Sequence, residues 1–274
     1  MNFLLILRPD FTAVYSDTQQ EISRILQTKG EVYRNNSGRK TLRFSHSGKS
    51  YFLKIHTGVG WKEIFKNLFQ FRLPVISAKR EWQALFRLRA LGIDTLKPIG
   101  FGSRGNNPAH IQSFLITDDL GESITLEEFL SGFSPKNPGH PLEIRFKRAL
   151  IRKVANIART MHENGVNHRD FYLCHFRLPL VHLKNKHPQV HVMDLHRAQL
   201  RTHTPKRWVI KDLGGLYFSS FGAKLTQRDL FRFIRTYRGQ PLRALFASDT
   251  RFWRKIKARA KRINEHHQKW YAKK

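Results

Sequence analysis

One change in hydrophobic period limits the fold of this chain more than any other feature. Between Glu31 and Ile55 the text reads as strands: Glu31–Arg34, Thr41–Phe44 and Ser50–Ile55 are rich in aromatic and β-branched residues. Asn35-Asn36-Ser37-Gly38 and Ser45-His46-Ser47-Gly48 separate them as turn-forming clusters, which predicts a three-stranded meander. Later the period becomes helical. Leu142–Asn164 repeats Ile144, Leu150, Ile151, Val154, Ile157 and Met161 at helical spacing and stops before Gly165. A helix is expected at Thr18–Lys29, another at Ser77–Leu91 ended by Gly92, and a strand pair at Lys97–Gly102 and His110–Thr117. From Ser123 onward the text is mainly helical. Strands first and helices later, joined near Asp118-Asp119-Leu120-Gly121, predict an α+β chain with a β-rich first lobe and an α-rich second.

Composition narrows the function classes. The chain has 274 residues, 40% of them hydrophobic and 12% aromatic, ample for a packed core and unlike a disordered chain. Cys174 is the single cysteine, so no internal disulfide can form. The start, MNFLLILRPDF, has no basic stretch before its apolar run and is interrupted by Arg8-Pro9, unlike a signal peptide. No window is apolar enough for a membrane helix, so a soluble cytoplasmic protein, with peripheral attachment to a membrane as an option, is expected. Fifty Lys and Arg against twenty Asp and Glu give a net charge of +30. Such an excess points to a polyanionic partner: nucleic acid, an anionic bilayer surface, an acidic protein or a phosphorylated substrate.

Several residues match what phosphoryl transfer needs: cations on the phosphates, a carboxylate holding metal, and a carboxylate near the attacking hydroxyl. His168-Arg169-Asp170 follows the long predicted helix directly. Alone, this tripeptide is weak evidence in a chain so rich in Arg and His. Lys54 ends the third strand, facing a presumed interlobe cleft, and Glu81 on the next helix is the natural anion to hold it. Asp194 lies in Val190-His-Val-Met-Asp-Leu-His196, where a short apolar strand delivers a carboxylate to a loop. An exposed strand lysine, a surface acid and ordinary salt bridges are the competing readings for these four. Ser37, Gly38 and Arg39 sit at the first hairpin, where backbone amides can approach phosphates, but only one glycine is present and no P-loop occurs. His168, Cys174, His175, His187, His191 and His196 are dense, yet no two cysteines pair, and zinc is not favoured.

Two stretches concern the partner. Trp61–Phe71 places Trp61, Ile64, Phe65, Leu68 and Phe69 on one helical face, to be buried in the core or presented to lipid or an acyl chain. Arg251–Lys274 is basic at nearly every exposed position, with Trp253, Ile256 and Ile263 as an apolar stripe.

Three segments in order, His168-Arg-Asp-Phe-Tyr-Leu-Cys-His-Phe176, Met193-Asp-Leu-His-Arg-Ala-Gln199 and Lys211-Asp-Leu-Gly-Gly-Leu-Tyr-Phe-Ser-Ser220, resemble the lipopolysaccharide core heptose kinases of Gram-negative bacteria. The resemblance implies a protein-kinase-like two-lobe fold: residues 1–117 as the N-lobe, 118–122 as a hinge and 123–274 as the C-lobe, with ATP in the cleft. It implies Asp170 as catalytic base, Asp194 as Mg²⁺ ligand, and Lys54, held by Glu81, on the α- and β-phosphates. Asp212, at the start of a helix, would brace the catalytic loop together with His168. Asp118 and Leu120, in the hinge segment Phe114–Leu120, would meet adenine. His175 stands where protein kinases carry an Asn, although Mg²⁺ prefers oxygen to imidazole nitrogen. The implied acceptor is the first heptose of the inner core on lipid A, with an anionic membrane and an acidic protein such as acyl carrier protein as partners. A kinase for the second heptose, for Kdo or for protein, and a nucleic-acid-binding protein, are the alternatives. The protein-kinase reading lacks an Ala-Pro-Glu segment.

Overall fold

The computed structural model of the chain describes residues 2–11, 17–36, 38–70, 74–132, 141–183, 188–223 and 225–271. Backbone contacts divide the chain into two units, Met1–Arg87 with Leu96–Leu120, and Leu88–Thr95 with Gly121–Lys274.

The first unit is built on one six-stranded antiparallel sheet. Its strands are β1 (Phe3–Leu7), β2 (Glu31–Asn36), β3 (Arg39–His46), β4 (Lys49–His56), β5 (Pro98–Arg104) and β6 (Gln112–Asp118), ordered β1-β5-β6-β4-β3-β2. The meander β2-β3-β4 follows the alternation in the sequence. β1 is the apolar N-terminal run, which pairs with β5 from Phe3↔Arg104 to Leu7↔Gly100. Phe3, Leu5 and Leu7 pack against a core of Leu42, Leu53, Phe114 and Ile116, whereas Leu4 and Ile6 face outward. Helix α1 (Thr18–Leu26) lays Ile22 and Ile25 on the same core, and its N-cap Asp17 accepts from the amide of Gln19.

Helix α2 (Gly60–Phe69) behaves differently. Ile64 is buried, but Trp61, Phe65 and Leu68 are about half exposed, and Phe69 is 83% exposed. Core packing therefore accounts for one of the five apolar residues; Phe71 lies outside the described residues. Helix α3 (Lys79–Ala90) turns Trp82 and Leu85 inward and carries Glu81.

The described residues of the second unit form six helices, α4 (Leu126–Ser131), α5 (Pro141–Glu163), α6 (Lys206–Ser219), α7 (Gln227–Arg238), α8 (Leu242–Ser248) and α9 (Thr250–Tyr271), with short strands before α4 and between α5 and α6. These are β7 (Ser123–Thr125), β8 (Val166–Asn167), β9 (Phe176–Pro179), β10 (His191–Val192) and β11 (Gln199–Leu200). Thr125 and Glu128 close a capping box at α4, as Thr226 and Asp229 do at α7. α9 buries Phe252, Ile256 and Ala260 and leaves its Lys and Arg side outward. An apolar cavity of about 470 Å³ lies among these helices, lined by Leu126, Leu130, Leu150, Leu216, Trp253 and Ile256 with others. No helix among the described residues is long and apolar enough to cross a membrane.

Candidate active site

The α5 helix ends at Glu163, and the chain turns at Gly165, whose φ of 75° is left-handed. A Cβ there would lie 1.8 Å from the carbonyl oxygen of Arg201, so only glycine fits. From this stop the chain enters β8, which pairs with β11, and then the loop His168-Arg169-Asp170. The loop is pinned by Asp212. Its carboxylate, fully buried, accepts from the backbone amides of His168 at 2.6 Å and Arg169 at 2.9 Å. Those bonds hold Arg169 at φ 74°, a left-handed conformation rare for a side-chain-bearing residue. Asp212 does not begin its helix, contrary to the sequence expectation. It sits in the middle of α6, where the helix axis carries it beneath the loop, with His162 Nε2 3.5 Å away.

His168 is also fully buried. Its Nε2 donates to the carbonyl oxygen of Met193 at 2.8 Å, tying the catalytic loop to the Asp194 segment. Burial holds its imidazole below the usual histidine range, against the pull of Asp212. Asp170 keeps a partly exposed carboxylate, and Arg197 Nη1 donates to both its oxygens, at 2.7 and 3.0 Å. No sequence reasoning singled out Arg197. It is one of fifty basic residues, and the only signal was indirect: no Lys or Arg follows Asp170 within its own loop.

Asp194 adopts φ 57° and ψ 53°, so the chain turns sharply at this residue and leaves its carboxylate one-third exposed. One oxygen accepts from His196 Nδ1; the other lies 3.7 Å from His175 Nε2. His175 donates from Nδ1 to the carbonyl oxygen of Asp170 at 2.6 Å, and its ring stacks on His168. Burial opposes a charge on His175, but hydrogen bonds with Cys174 and the Asp170 carbonyl outweigh it and raise its pKa to about 9. With Nδ1 engaged, Nε2 is the ring nitrogen that faces Asp194. No group of three or more metal-ligating side chains occurs among the described residues; His187 lies outside them.

In the first unit Lys54, on β4, donates to Glu81 Oε1 at 2.5 Å, and Glu81 is buried. Gly38 occupies the β2–β3 turn at φ 76°, where a Cβ would stand 2.4 Å from the carbonyl oxygen of Gly58, and its own carbonyl accepts from Thr57. Ser37 lies outside the described residues. Arg39 Nη2 donates to the carbonyl oxygen of Val75. Asp118 ends β6 with its amide on the carbonyl of Lys97 and its carboxylate on the amide of Lys97, so both groups serve the sheet. Leu120, half-buried, is the last residue of the unit.

Known proteins resemble this chain in sequence and fold. Residues 23–237 match the lipopolysaccharide kinase (Kdo/WaaP) family. The lipopolysaccharide core heptose(I) kinase WaaP of Escherichia coli (strain K12) is 46% identical over 248 residues, covering 90% of this chain and 92% of its own length. The protein of the same name from Pseudomonas aeruginosa is 40% identical over 270 residues, covering 97% and 98%. A solved structure of WaaP in complex with acyl carrier protein superimposes with a TM-score of 0.78 at 36% identity, covering 95% of this chain and 99% of that one. The fold is thus α+β of the protein-kinase-like type, and the chain belongs to the lipopolysaccharide kinase (Kdo/WaaP) family.

Proposed function

We propose that this protein transfers the γ-phosphate of ATP to a hydroxyl of the first heptose in the lipopolysaccharide inner core. The observation that carries the reading is the Asp170 loop: a carboxylate held by Arg197 on a loop whose backbone is fixed by buried Asp212. Relatives at 40–46% identity named as heptose(I) kinases favour this acceptor over the second heptose, Kdo, a protein or a nucleic acid.

Asp170 would accept the proton of the acceptor hydroxyl as its oxygen attacks the γ-phosphorus; the bond to the β–γ bridging oxygen breaks and ADP departs. Lys54, oriented by Glu81, would neutralise the α- and β-phosphates. Leu120 would offer backbone to adenine, while Gly38 and Arg39 would flank the phosphates. Asp194 presents carboxylate oxygens to solvent, which fits Mg²⁺, a cation that takes oxygen ligands. Bound there, Mg²⁺ would neutralise charge on the transferring phosphate. His175 would steady the Asp170 backbone and face Asp194 as a cation. We assign the first unit to the nucleotide and the second to the acceptor and the proton transfer.

The acceptor is a membrane-embedded anionic glycolipid, which suits a chain of net charge +30 acting peripherally at the cytoplasmic face of the inner membrane. The complex formed by the similar WaaP supports acyl carrier protein as a partner here, and the 470 Å³ apolar cavity has the character to take an acyl chain.

The test is Mg²⁺-dependent ATP turnover on heptosylated Kdo-lipid A, deacylated core sugar, casein and RNA. Turnover is expected on the first two, and Asp170→Ala should lower it about 10²–10⁴-fold. Equal activity of Asp170→Ala, or phosphorylation of casein alone, refutes the reading.

A further inference from the structure

Four cations surround the indole of Trp208 on α6. The guanidinium carbons of Arg169, Arg201 and Arg207 lie 5.3, 5.7 and 5.5 Å from its ring centroid, and Lys211 Nζ lies 5.3 Å from it. Such gathering is unfavourable unless something offsets the mutual repulsion. Within the described residues no carboxylate forms an ion pair with Arg201, Arg207 or Lys211. Arg201 donates only to the neutral side chains of Asn167 and Gln199. The two acids whose charge reaches Lys211 have partners of their own, Asp170 in Arg197 and Asp212 in the amides of His168 and Arg169. Trp208 Nε1 is a buried donor with no acceptor. Lys211 shows the consequence: burial first, then Arg169 and Arg197, depress its pKa to about 8.

Four cationic side chains gathered on one indole beside the loop make a positively charged face suited to an anion. Its position says which one. Lys211 lies close enough to Asp170 to feel its charge, and Asp170 is the group that the acceptor hydroxyl would address. Resting on the function proposed above, we infer that the Trp208 cluster binds an oxyanion of the acceptor, a carboxylate or phosphate carried by the saccharide next to the sugar being phosphorylated. A sugar acid, with its carboxylate on the ring, has that chemistry. The cluster would thereby select anionic core saccharides over neutral ones and set the acceptor's register against Asp170.

The experiment measures both turnover and binding. Wild type, Lys211→Gln, Arg207→Gln and Lys211→Arg are assayed with the deacylated acceptor carrying free carboxylates, with its methyl ester, and with a phosphatase-treated sample. Loss of one charged contact should raise the acceptor KM about 10–100-fold in Lys211→Gln, leave the ATP KM unchanged, and be largely rescued in Lys211→Arg. The ester should bind wild type as weakly as the free acid binds Lys211→Gln if the anion is the carboxylate. Sensitivity to phosphatase instead identifies a phosphate. An unchanged preference for the free acid over both treated samples in Lys211→Gln, or a rise in the ATP KM instead, overturns the proposal. Calorimetric binding of the free acidic saccharide to wild type and Lys211→Gln needs no turnover. If neither sample is phosphorylated, the kinase reading fails, while a binding difference between the two proteins still supports the anion site and its absence still refutes it.

Discussion

Replacing Asp212 with Asn should unfasten the catalytic loop without changing side-chain volume. In the wild type each carboxylate oxygen takes one amide, His168 at 2.6 Å and Arg169 at 2.9 Å, in a site with no solvent exposure. Asn offers one oxygen and one NH₂. One amide therefore keeps a weaker neutral bond, and the other faces a donor. Losing the charge assistance costs about 1 kcal/mol, and the buried unsatisfied donors cost about 1–3 kcal/mol more. The left-handed backbone of Arg169 adds strain of about 1–3 kcal/mol that the carboxylate now offsets. We expect the loop to open about 3 kcal/mol more easily, which corresponds to roughly 10²-fold faster amide exchange. Hydrogen exchange of peptides spanning 166–172 reads this directly, with α9 peptides as the internal reference. Turnover should fall along with protection. Unchanged exchange at His168 and Arg169 in the Asn variant would refute the argument that Asp212 fixes the loop.

Three further outcomes are expected. Glu81→Gln should raise the KM for ATP about tenfold with little change in the acceptor KM, read from steady-state kinetics, because buried Glu81 is the anion that positions Lys54. Replacing both Phe65 and Phe69 with Ser should weaken sedimentation with anionic vesicles by about 100-fold, since each exposed ring can bury apolar area in the interface. As pH rises through about 8, Lys211 loses its proton among Arg169, Arg197, Asp170 and Asp212; acceptor KM should climb across that window in wild type and stay flat in Lys211→Arg.

The elements with a clear period or stop were legible. The β2-β3-β4 alternation, the apolar face of α5 and the glycines at 92 and 165 are local signals, and each element forms where its residues alone prescribe. β1 was missed because an unbroken apolar run carries no alternation, and its pairing with β5 joins residues about a hundred positions apart. Asp212 was recognisable as a residue but not in its place. Gly214 and Gly215 interrupt the helical text of α6, so the helix boundary was misjudged, although both glycines are tolerated because α6 is packed on both sides. Arg197 and the cations around Trp208 were invisible for another reason. Among fifty Lys and Arg, only three-dimensional gathering distinguishes the few that act together.

The loop after Asp170 brings no cation of its own to that carboxylate: Phe171, Tyr172, Leu173 and Cys174 carry no basic group, and His175 bonds the Asp170 backbone instead. The cation arrives from three residues beyond Asp194, as Arg197, so the segment offering a carboxylate for metal also restrains the catalytic one. His175 bridges the same two places, with Nδ1 on the Asp170 backbone and Nε2 toward Asp194. Both links run between the two carboxylates to which we assign proton transfer and metal binding. A shift of the Asp194 turn would therefore move Asp170 with it, and the left-handed backbone at Asp194 makes that turn a single conformational element. Coupling of this kind would let the second unit present the proposed base and metal ligand together, with His168 Nε2 on the Met193 carbonyl as the third tie between them.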